Sequence, residues 1–166
     1  MKYICKFILW VCGWKYIGKA PDEKKYVVIS VPHTSMWDFV WGKIAFCSQG
    51  VKPIIFIKKE SFFFPLGILL RALGARPVNR QNGAPGLIEQ IISYFNNYDI
   101  CQVCITPEGT RKKVTKWKKG FYYIAYKANV PVYLGIVDYK HKHLDIGERF
   151  LPTGDIETDM KYIKQY

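Results

Sequence analysis

Short apolar runs rich in β-branched residues alternate along this chain of 166 residues with segments in which apolar side chains recur at helical spacing. The runs predict strands and the periodic segments predict helices. The predicted strands are residues 26–31, 53–57, 77–79, 100–106, 130–137 and 144–150, and the predicted helices are residues 39–46, 66–73, 84–95, 120–128 and 156–164. This alternation predicts a single α/β domain in which helices flank a mixed, mostly parallel sheet, with ligands bound where strands end.

The amino-terminal segment, residues 4–14, is apolar except for Lys6 and Gly13. It is shorter than the ~20 residues that span a bilayer, and no small-residue cleavage site follows it, so neither a membrane span nor a signal peptide is expected. The segment is either a helix in the membrane interface or an ordinary core helix. Aromatic residues beside lysines favour the interface. We therefore expect residues 1–20 to hold the protein peripherally at the cytoplasmic face of a membrane.

The composition combines many apolar side chains with a strong excess of positive charge. Hydrophobic residues make up 49% of the chain, and 25 Lys and Arg against 13 Asp and Glu give a formal net charge of +12. Such a charge predicts an anionic partner, which could be nucleic acid, an anionic bilayer or an acidic carrier protein. Because 16% of the residues are aromatic, the membrane interface is favoured.

The cysteine and histidine patterns offer little chemistry of their own. The five cysteines are expected to be free thiols, and Cys101-x-x-Cys104 lies within an apolar run, so it is interpreted as core rather than as a redox or zinc site. His141 and His143 alternate without a nearby carboxylate set that resembles a closed metal site. We therefore predict no metal.

A histidine and an aspartate five positions apart follow the first predicted strand, immediately before a helix. In this position Asp38 can accept one ring N–H of His33 and leave the other ring nitrogen as a base. Such a base deprotonates a hydroxyl as it attacks an activated acyl carbon, so no serine nucleophile is required. On their own, the two residues fit equally well a helix-capping Asp38 and an incidental His33.

A second polar segment, Thr106-Pro107-Glu108-Gly109-Thr110-Arg111, leaves the predicted central strand. Its glycine allows close approach of the backbone to a ligand, its threonine offers a hydroxyl donor, and its arginine can bind phosphate oxygens with two N–H groups. Six of the nine residues from 111 to 119 are basic. Because they follow a buried strand end, an anion-binding site is the favoured interpretation.

Taken in order, His33-x4-Asp38, residues 107–111 (PEGTR) and residues 118–120 (KKG) resemble the motifs of the glycerolipid acyltransferase family, which includes lysophosphatidic acid acyltransferases. The resemblance covers residues 27–137. Residues 74–80 (GARPVNR) resemble a further family block whose last arginine contacts the acceptor phosphate, although Pro77 stands where an aromatic residue is usual. Residues 130–132 (VPV) resemble the block near the acyl chain.

The resemblance implies that His33 is the general base and Asp38 its orienting partner. The residues implied to hold the acceptor headgroup are Arg80, Glu108, Gly109, Thr110 and Arg111. Those implied to contact the acyl chain or membrane are Phe62, Phe63, Phe64 and Pro131. Two arginines suit an anionic headgroup, whereas Glu108 does not; it could instead order an arginine or bind an acceptor hydroxyl.

The implied reaction moves a fatty acyl group from acyl-CoA or acyl carrier protein to a lipid hydroxyl, converting 1-acyl-glycerol-3-phosphate to phosphatidic acid without a cofactor. Three alternatives remain open. The acceptor could be an N-acyl amino acid, the protein could be a non-catalytic lipid-binding relative, or the basic surface could bind nucleic acid. No RNA- or DNA-binding signature is present, so a nucleic-acid partner is not expected.

Overall fold

The computed structural model of the protein describes residues 1–79, 83–112 and 114–165. Its strands are β1 (Lys15–Ile17), β2 (Lys25–Ser30), β3 (Ile54–Lys58), β4 (Ala75–Val78), β5 (Cys101–Ile105), β6 (Val132–Asp138) and β7 (His143–Phe150). Its α-helices are α1 (Lys2–Val11), α2 (Met36–Gln49), α3 (Leu66–Ala72), α4 (Gly83–Asn97), α5 (Gly120–Ala128) and α6 (Ile156–Gln165). A 3-10 turn, Lys59–Ser61, follows β3.

The strands form one seven-stranded sheet in the order β1-β7-β6-β2-β5-β3-β4. The five strands from β2 to β6 are mutually parallel, whereas β7 is antiparallel to β6 and β1 runs parallel to β7. The predicted α/β fold with a mixed, mostly parallel sheet is therefore confirmed. Because β2 lies between β6 and β5, its carboxyl end lies near the middle of the sheet edge where ligands bind in such folds.

Alternate side chains of β2 pack on opposite faces of the sheet. Val27 and Ile29 are buried in the larger core cluster, which is completed by residues of α4, α5 and α6. Tyr26 and Val28 pack with Phe46 of α2 on the other face, and α1 packs over α2 through Leu9. Since β2 is buried on both faces, its sequence is continuously apolar rather than alternating.

The largest departure from the sequence-based expectations is at the amino terminus. The predicted helical segment, residues 1–20, contains a shorter helix, because α1 ends at Val11 and Gly13 adopts a left-handed φ of +73°. The chain then forms β1, which pairs with β7. Within the described residues, no helix has both the length and the hydropathy needed to cross a bilayer.

The other differences are small. Helix α2 begins at Met36, before the predicted start at residue 39, because Ser35 caps it and accepts a hydrogen bond from the Trp37 N–H.

All five cysteines are free, and Cys101 is fully buried in the core as predicted. Arg80, the arginine implied to contact the acceptor phosphate, lies outside the described residues.

Candidate active site

His33 lies in the short loop that joins the central strand β2 to helix α2. Its Nδ1 atom is 3.0 Å from Oδ2 of Asp38, which lies in the first turn of that helix. The same carboxylate oxygen accepts hydrogen bonds from the backbone N–H groups of Thr34 at 2.7 Å and Ser35 at 2.9 Å. The loop therefore folds around the Asp38 carboxylate and brings the imidazole onto it.

The structure resolves the choice between a capping aspartate and a histidine partner, because Asp38 does both. It forms a reciprocal capping box with Ser35 at the start of α2. The Asp38 side chain is 2% exposed and that of His33 is 18% exposed, so the carboxylate is buried beneath an imidazole that solvent and ligands can reach. With its Nδ1 atom facing Asp38, His33 retains Nε2 for proton transfer.

The carboxylate has a further partner that the sequence did not suggest. Oδ1 of Asp38 accepts a hydrogen bond of 2.5 Å from the hydroxyl of Tyr139, which follows β6. Burial acts to raise the pKa of Asp38, but the hydrogen bonds from Tyr139, Ser35, Thr34 and His33 outweigh it and hold that pKa below its usual value. Asp38 is therefore ionised at neutral pH. The signal that the sequence offered for Tyr139 was the position of this tyrosine just after the predicted strand at residues 130–137.

Glu108 joins the second predicted segment to the histidine loop. Its Oε2 atom accepts a hydrogen bond of 2.7 Å from the backbone N–H of His33. This partner differs from the arginine or acceptor hydroxyl considered from the sequence. Since β5 is adjacent to β2, the loops that follow the two strands meet at the sheet edge, and Glu108 ties them together.

The remaining residues of this segment lie at or near the surface, and Gly109 lines the same cavity as His33. Gly109 has a left-handed φ of +64°, a conformation that favours glycine. A Cβ atom there would lie 2.8 Å from Nζ of the flexible Lys118 side chain, which would have to move. The Thr110 hydroxyl accepts a hydrogen bond of 3.3 Å from the Lys112 N–H. Arg111 is exposed. Of the basic residues that follow, Lys118 and Lys119 line the cavity that His33 also lines.

A cavity of about 700 Å³ opens onto the dyad and is lined by both His33 and Asp38. Its volume is within the range of small-molecule and cofactor sites. Most of its lining is apolar and lies on both faces of the sheet, with α2 on one face and α4 and α5 on the other. The lining residues include Phe39, Phe46, Ile55, Leu70, Ile88 and Ile124. The cavity therefore places apolar surface next to His33.

The residues predicted to contact the acyl chain or membrane do not line this cavity. Phe62, Phe63 and Phe64 follow β3 and line a separate, smaller recess with Ile68 and Arg71. Pro131 is buried at the amino end of β6, the sheet edge opposite to His33, and is not part of the cavity wall. The apolar cavity is lined instead by the inward faces of helices. The positions of the sequence motifs do not identify those faces.

Residues 15–134 match the family model for acyltransferases. The match covers most of the chain and includes His33, Asp38 and Glu108. The chain belongs to the acyltransferase family. Residue 139 lies beyond the matched segment of this acyltransferase.

A solved structure supports the fold of this acyltransferase across nearly its whole length. The 1-acyl-sn-glycerophosphate (LPA) acyltransferase PlsC from Thermotoga maritima superposes with a TM-score of 0.69 and 19% sequence identity, over 99% of this chain and 73% of that chain. At this identity the likeness shows a shared fold. A search among curated proteins gave no significant match.

Proposed function

We propose that this acyltransferase moves a fatty acyl group from acyl-CoA or acyl carrier protein to the hydroxyl of a lysolipid, with 1-acyl-glycerol-3-phosphate as the acceptor and phosphatidic acid as the product. The observation that carries the proposal is the 3.0 Å contact between His33 and Asp38 at the mouth of a largely apolar cavity. A base beside an apolar cavity suits a reaction in which a hydroxyl attacks a fatty acyl group.

The chemistry follows from the free nitrogen of His33. Nε2 accepts the proton of the acceptor hydroxyl as its oxygen attacks the thioester carbonyl carbon, so a C–O bond forms. The tetrahedral adduct then collapses, the C–S bond breaks, and the proton on His33 passes to the departing thiolate. Asp38 stabilises the intermediate imidazolium through its negative charge and keeps the Nδ1 proton in place. No covalent acyl-enzyme is needed.

The acyl chain of the donor is expected to occupy the apolar cavity. Gly42, in the middle of α2, lines this cavity, and a Cβ atom built there has nothing within 4 Å. A mid-helix glycine costs roughly 0.5–1 kcal/mol relative to alanine, so keeping this position free of a side chain has a cost in stability. The open space at Gly42 is therefore a candidate part of the acyl site.

Replacing Gly42 by phenylalanine is expected to fill part of this cavity and to impair long acyl donors more than short ones. We expect the ratio of kcat/KM for a long-chain over a short-chain acyl-CoA to fall by about tenfold or more, the cost of excluding a few methylene groups. Gly42→Ala is the matched control, because it removes the glycine without filling the cavity. Equal losses for long and short donors in Gly42→Phe would place the acyl chain elsewhere.

The acceptor headgroup is proposed to bind at the segment formed by Glu108, Gly109, Thr110 and Arg111, in which Glu108 bonds the His33 backbone and Gly109 lines the cavity. PlsC, which shares the fold, is described as an enzyme for an acceptor that carries a phosphate. The basic residues after β5 give this region the positive charge that such an acceptor needs. Arg80 is proposed as a further phosphate contact from the motif alone.

A competition assay tests the acceptor. Purified protein receives one acyl-CoA donor with equimolar lysophosphatidic acid, lysophosphatidylcholine and an N-acyl amino acid, and mass spectrometry measures which acceptor gains an acyl chain. We expect lysophosphatidic acid to be acylated first, because its phosphomonoester carries the most negative charge. Preferred acylation of the N-acyl amino acid would instead assign the enzyme to amino-lipid synthesis.

We also propose that the protein attaches peripherally to the anionic cytoplasmic face of a membrane through α1. One stripe of this helix, with Cys5 and Leu9, is buried against α2. A second stripe is apolar yet exposed and consists of Tyr3, Ile4, Phe7, Trp10 and Val11. An exposed apolar stripe beside lysines is typical of helices that lie in the membrane interface.

Replacing Trp10, which is 76% exposed, by glutamate is expected to weaken binding to vesicles of phosphatidylglycerol and phosphatidylcholine by about tenfold or more, the loss of one large buried side chain. A vesicle co-sedimentation assay measures the partition coefficient. Tyr98→Glu is the control, since Tyr98 is an exposed aromatic residue that follows α4, on the opposite face of the sheet. Equal binding by the two variants would rule out α1 as the attachment site.

A further inference from the structure

Tyr139 contacts the proposed dyad from a part of the chain distant in sequence. Oδ2 of Asp38 already faces the N–H groups of Thr34 and Ser35 and the Nδ1 atom of His33. Oδ1 accepts the Tyr139 hydroxyl at 2.5 Å. Hydrogen bonds at both oxygens prevent rotation of the carboxylate about its Cβ–Cγ bond, so the Oδ2 atom stays directed at the imidazole.

The ring of Tyr139 is itself held in place. It packs edge-on against Trp14, with ring centroids 5.4 Å apart, and Trp14 stacks on Trp41 of α2 at 4.7 Å. Trp14 precedes β1, whose first residue pairs with His143 of β7. The tyrosine is therefore supported by aromatic side chains from the amino-terminal segment and from the helix that carries Asp38.

The tyrosine is protonated at neutral pH, which its role as donor requires. Burial raises the pKa of Tyr139, and the hydrogen bond to the Asp38 carboxylate raises it further. The hydroxyl thus donates to the ionised carboxylate, and hydrogen bonds to charged groups are the stronger ones. Tyr139 is 42% exposed, so the residue adds little to the core.

We propose that Tyr139 is a positioning residue of the acyl-transfer site: its hydroxyl fixes the Asp38 carboxylate so that Asp38 holds His33 in the orientation needed for proton transfer. The expected fall in kcat rests on the proposed function. The geometric claim about His33 does not depend on any acyl donor or acceptor.

The variant Tyr139→Phe removes the hydroxyl and keeps the ring that packs on Trp14. The matched control is Tyr133→Phe, which also deletes a tyrosine–carboxylate hydrogen bond, 2.8 Å long, between Tyr133 and Glu23. Tyr133 lies near the amino end of β6, away from the dyad. Thermal unfolding of both variants establishes that each is folded.

Two readouts distinguish positioning from a structural role. The first is the imidazole Nδ1–H signal of His33 in NMR spectra at fixed pH, assigned by its loss in His33→Ala and its retention in His141→Ala. In Tyr139→Phe we expect this signal to shift or broaden, whereas Tyr133→Phe keeps it unchanged. The second is steady-state kinetics, where we expect kcat to fall about tenfold with KM unchanged, the effect of losing one hydrogen bond to a charged group.

The two readouts also separate this inference from the proposed function. An altered Nδ1–H signal in Tyr139→Phe alone supports positioning, even if the wild-type protein transfers no acyl group and the proposed function fails. A folded Tyr139→Phe protein with the wild-type Nδ1–H signal overturns the inference, even if the wild-type protein is an active acyltransferase.

Discussion

Replacing His33 by alanine is expected to lower the turnover of acyl transfer by about 10²–10⁴-fold, the contribution of a positioned general base. The imidazole lines the cavity and has its Nδ1 atom 3.0 Å from Asp38, so its loss leaves the acceptor hydroxyl without a base. Turnover is measured with saturating acyl-CoA and lysophosphatidic acid. We expect little change in the fold, because His33 lies in the loop between β2 and α2 and not within a strand or helix.

The control for this variant is His141→Ala. His141 also has its Nδ1 atom close to an aspartate, with 2.6 Å to Oδ2 of Asp138, but Asp138 ends β6 and His141 is exposed in the turn that follows. Its removal deletes the same kind of interaction outside the cavity, so activity is expected to stay at the wild-type level. A folded His33→Ala protein with the turnover of His141→Ala would exclude His33 as the base.

Replacing Asp38 by asparagine is expected to reduce kcat by at least about 10²-fold. The amide oxygen can take the place of Oδ2, which accepts the backbone N–H groups of Thr34 and Ser35, while the amide nitrogen faces the Tyr139 oxygen. The hydrogen-bonded loop is then retained, but the negative charge that stabilises the His33 imidazolium is lost. The expected loss is therefore electrostatic rather than a collapse of the site.

Kinetics and thermal unfolding of Asp38→Asn are compared with those of Asp138→Asn. The second variant removes the charge of the exposed histidine–aspartate pair and is expected to keep full activity. Unchanged kcat in a folded Asp38→Asn protein would mean that the carboxylate only caps α2. If Asp38→Asn does not fold, Asp38→Glu serves as the second variant. It keeps the negative charge but displaces that charge from the His33 Nδ1 atom.

The sequence predicted those parts of the site that depend on neighbours along the chain. His33 and Asp38 are five positions apart between a strand and a helix, a spacing that allowed a contact, and the ordered motifs of the family favoured that contact over an incidental histidine. The apolar runs likewise predicted the buried strands and the mostly parallel sheet. In each case the signal comes from local periodicity or from a short loop.

Contacts that depend on the order of strands in the sheet could not be predicted in the same way. Glu108 reaches the His33 backbone because β5 lies beside β2, and Tyr139 reaches Asp38 because β6 lies on the other side. No local sequence pattern specifies that β5 and β6 are the neighbours of β2 in the sheet. Strand β1 was missed for a related reason, since its three residues are stabilised by pairing with the distant β7.

The site also shows why a carboxylate can serve two roles at once. Capping α2 uses one carboxylate oxygen of Asp38 for the backbone N–H of Ser35, and the same oxygen faces His33. The helix start therefore fixes the dyad, because any shift of α2 would move the carboxylate relative to the imidazole. Local folding and the proposed chemistry depend on the same side chain.

The central claim is that the protein transfers acyl groups to a lipid hydroxyl, and the stoichiometry of a single reaction tests it most directly. Purified protein is incubated with a long-chain acyl-CoA and lysophosphatidic acid, and free thiol and phosphatidic acid are measured over the same time course. We predict one phosphatidic acid formed for each thiol released. Thiol release without acylated lipid, or no reaction at all with the folded protein, would contradict the account.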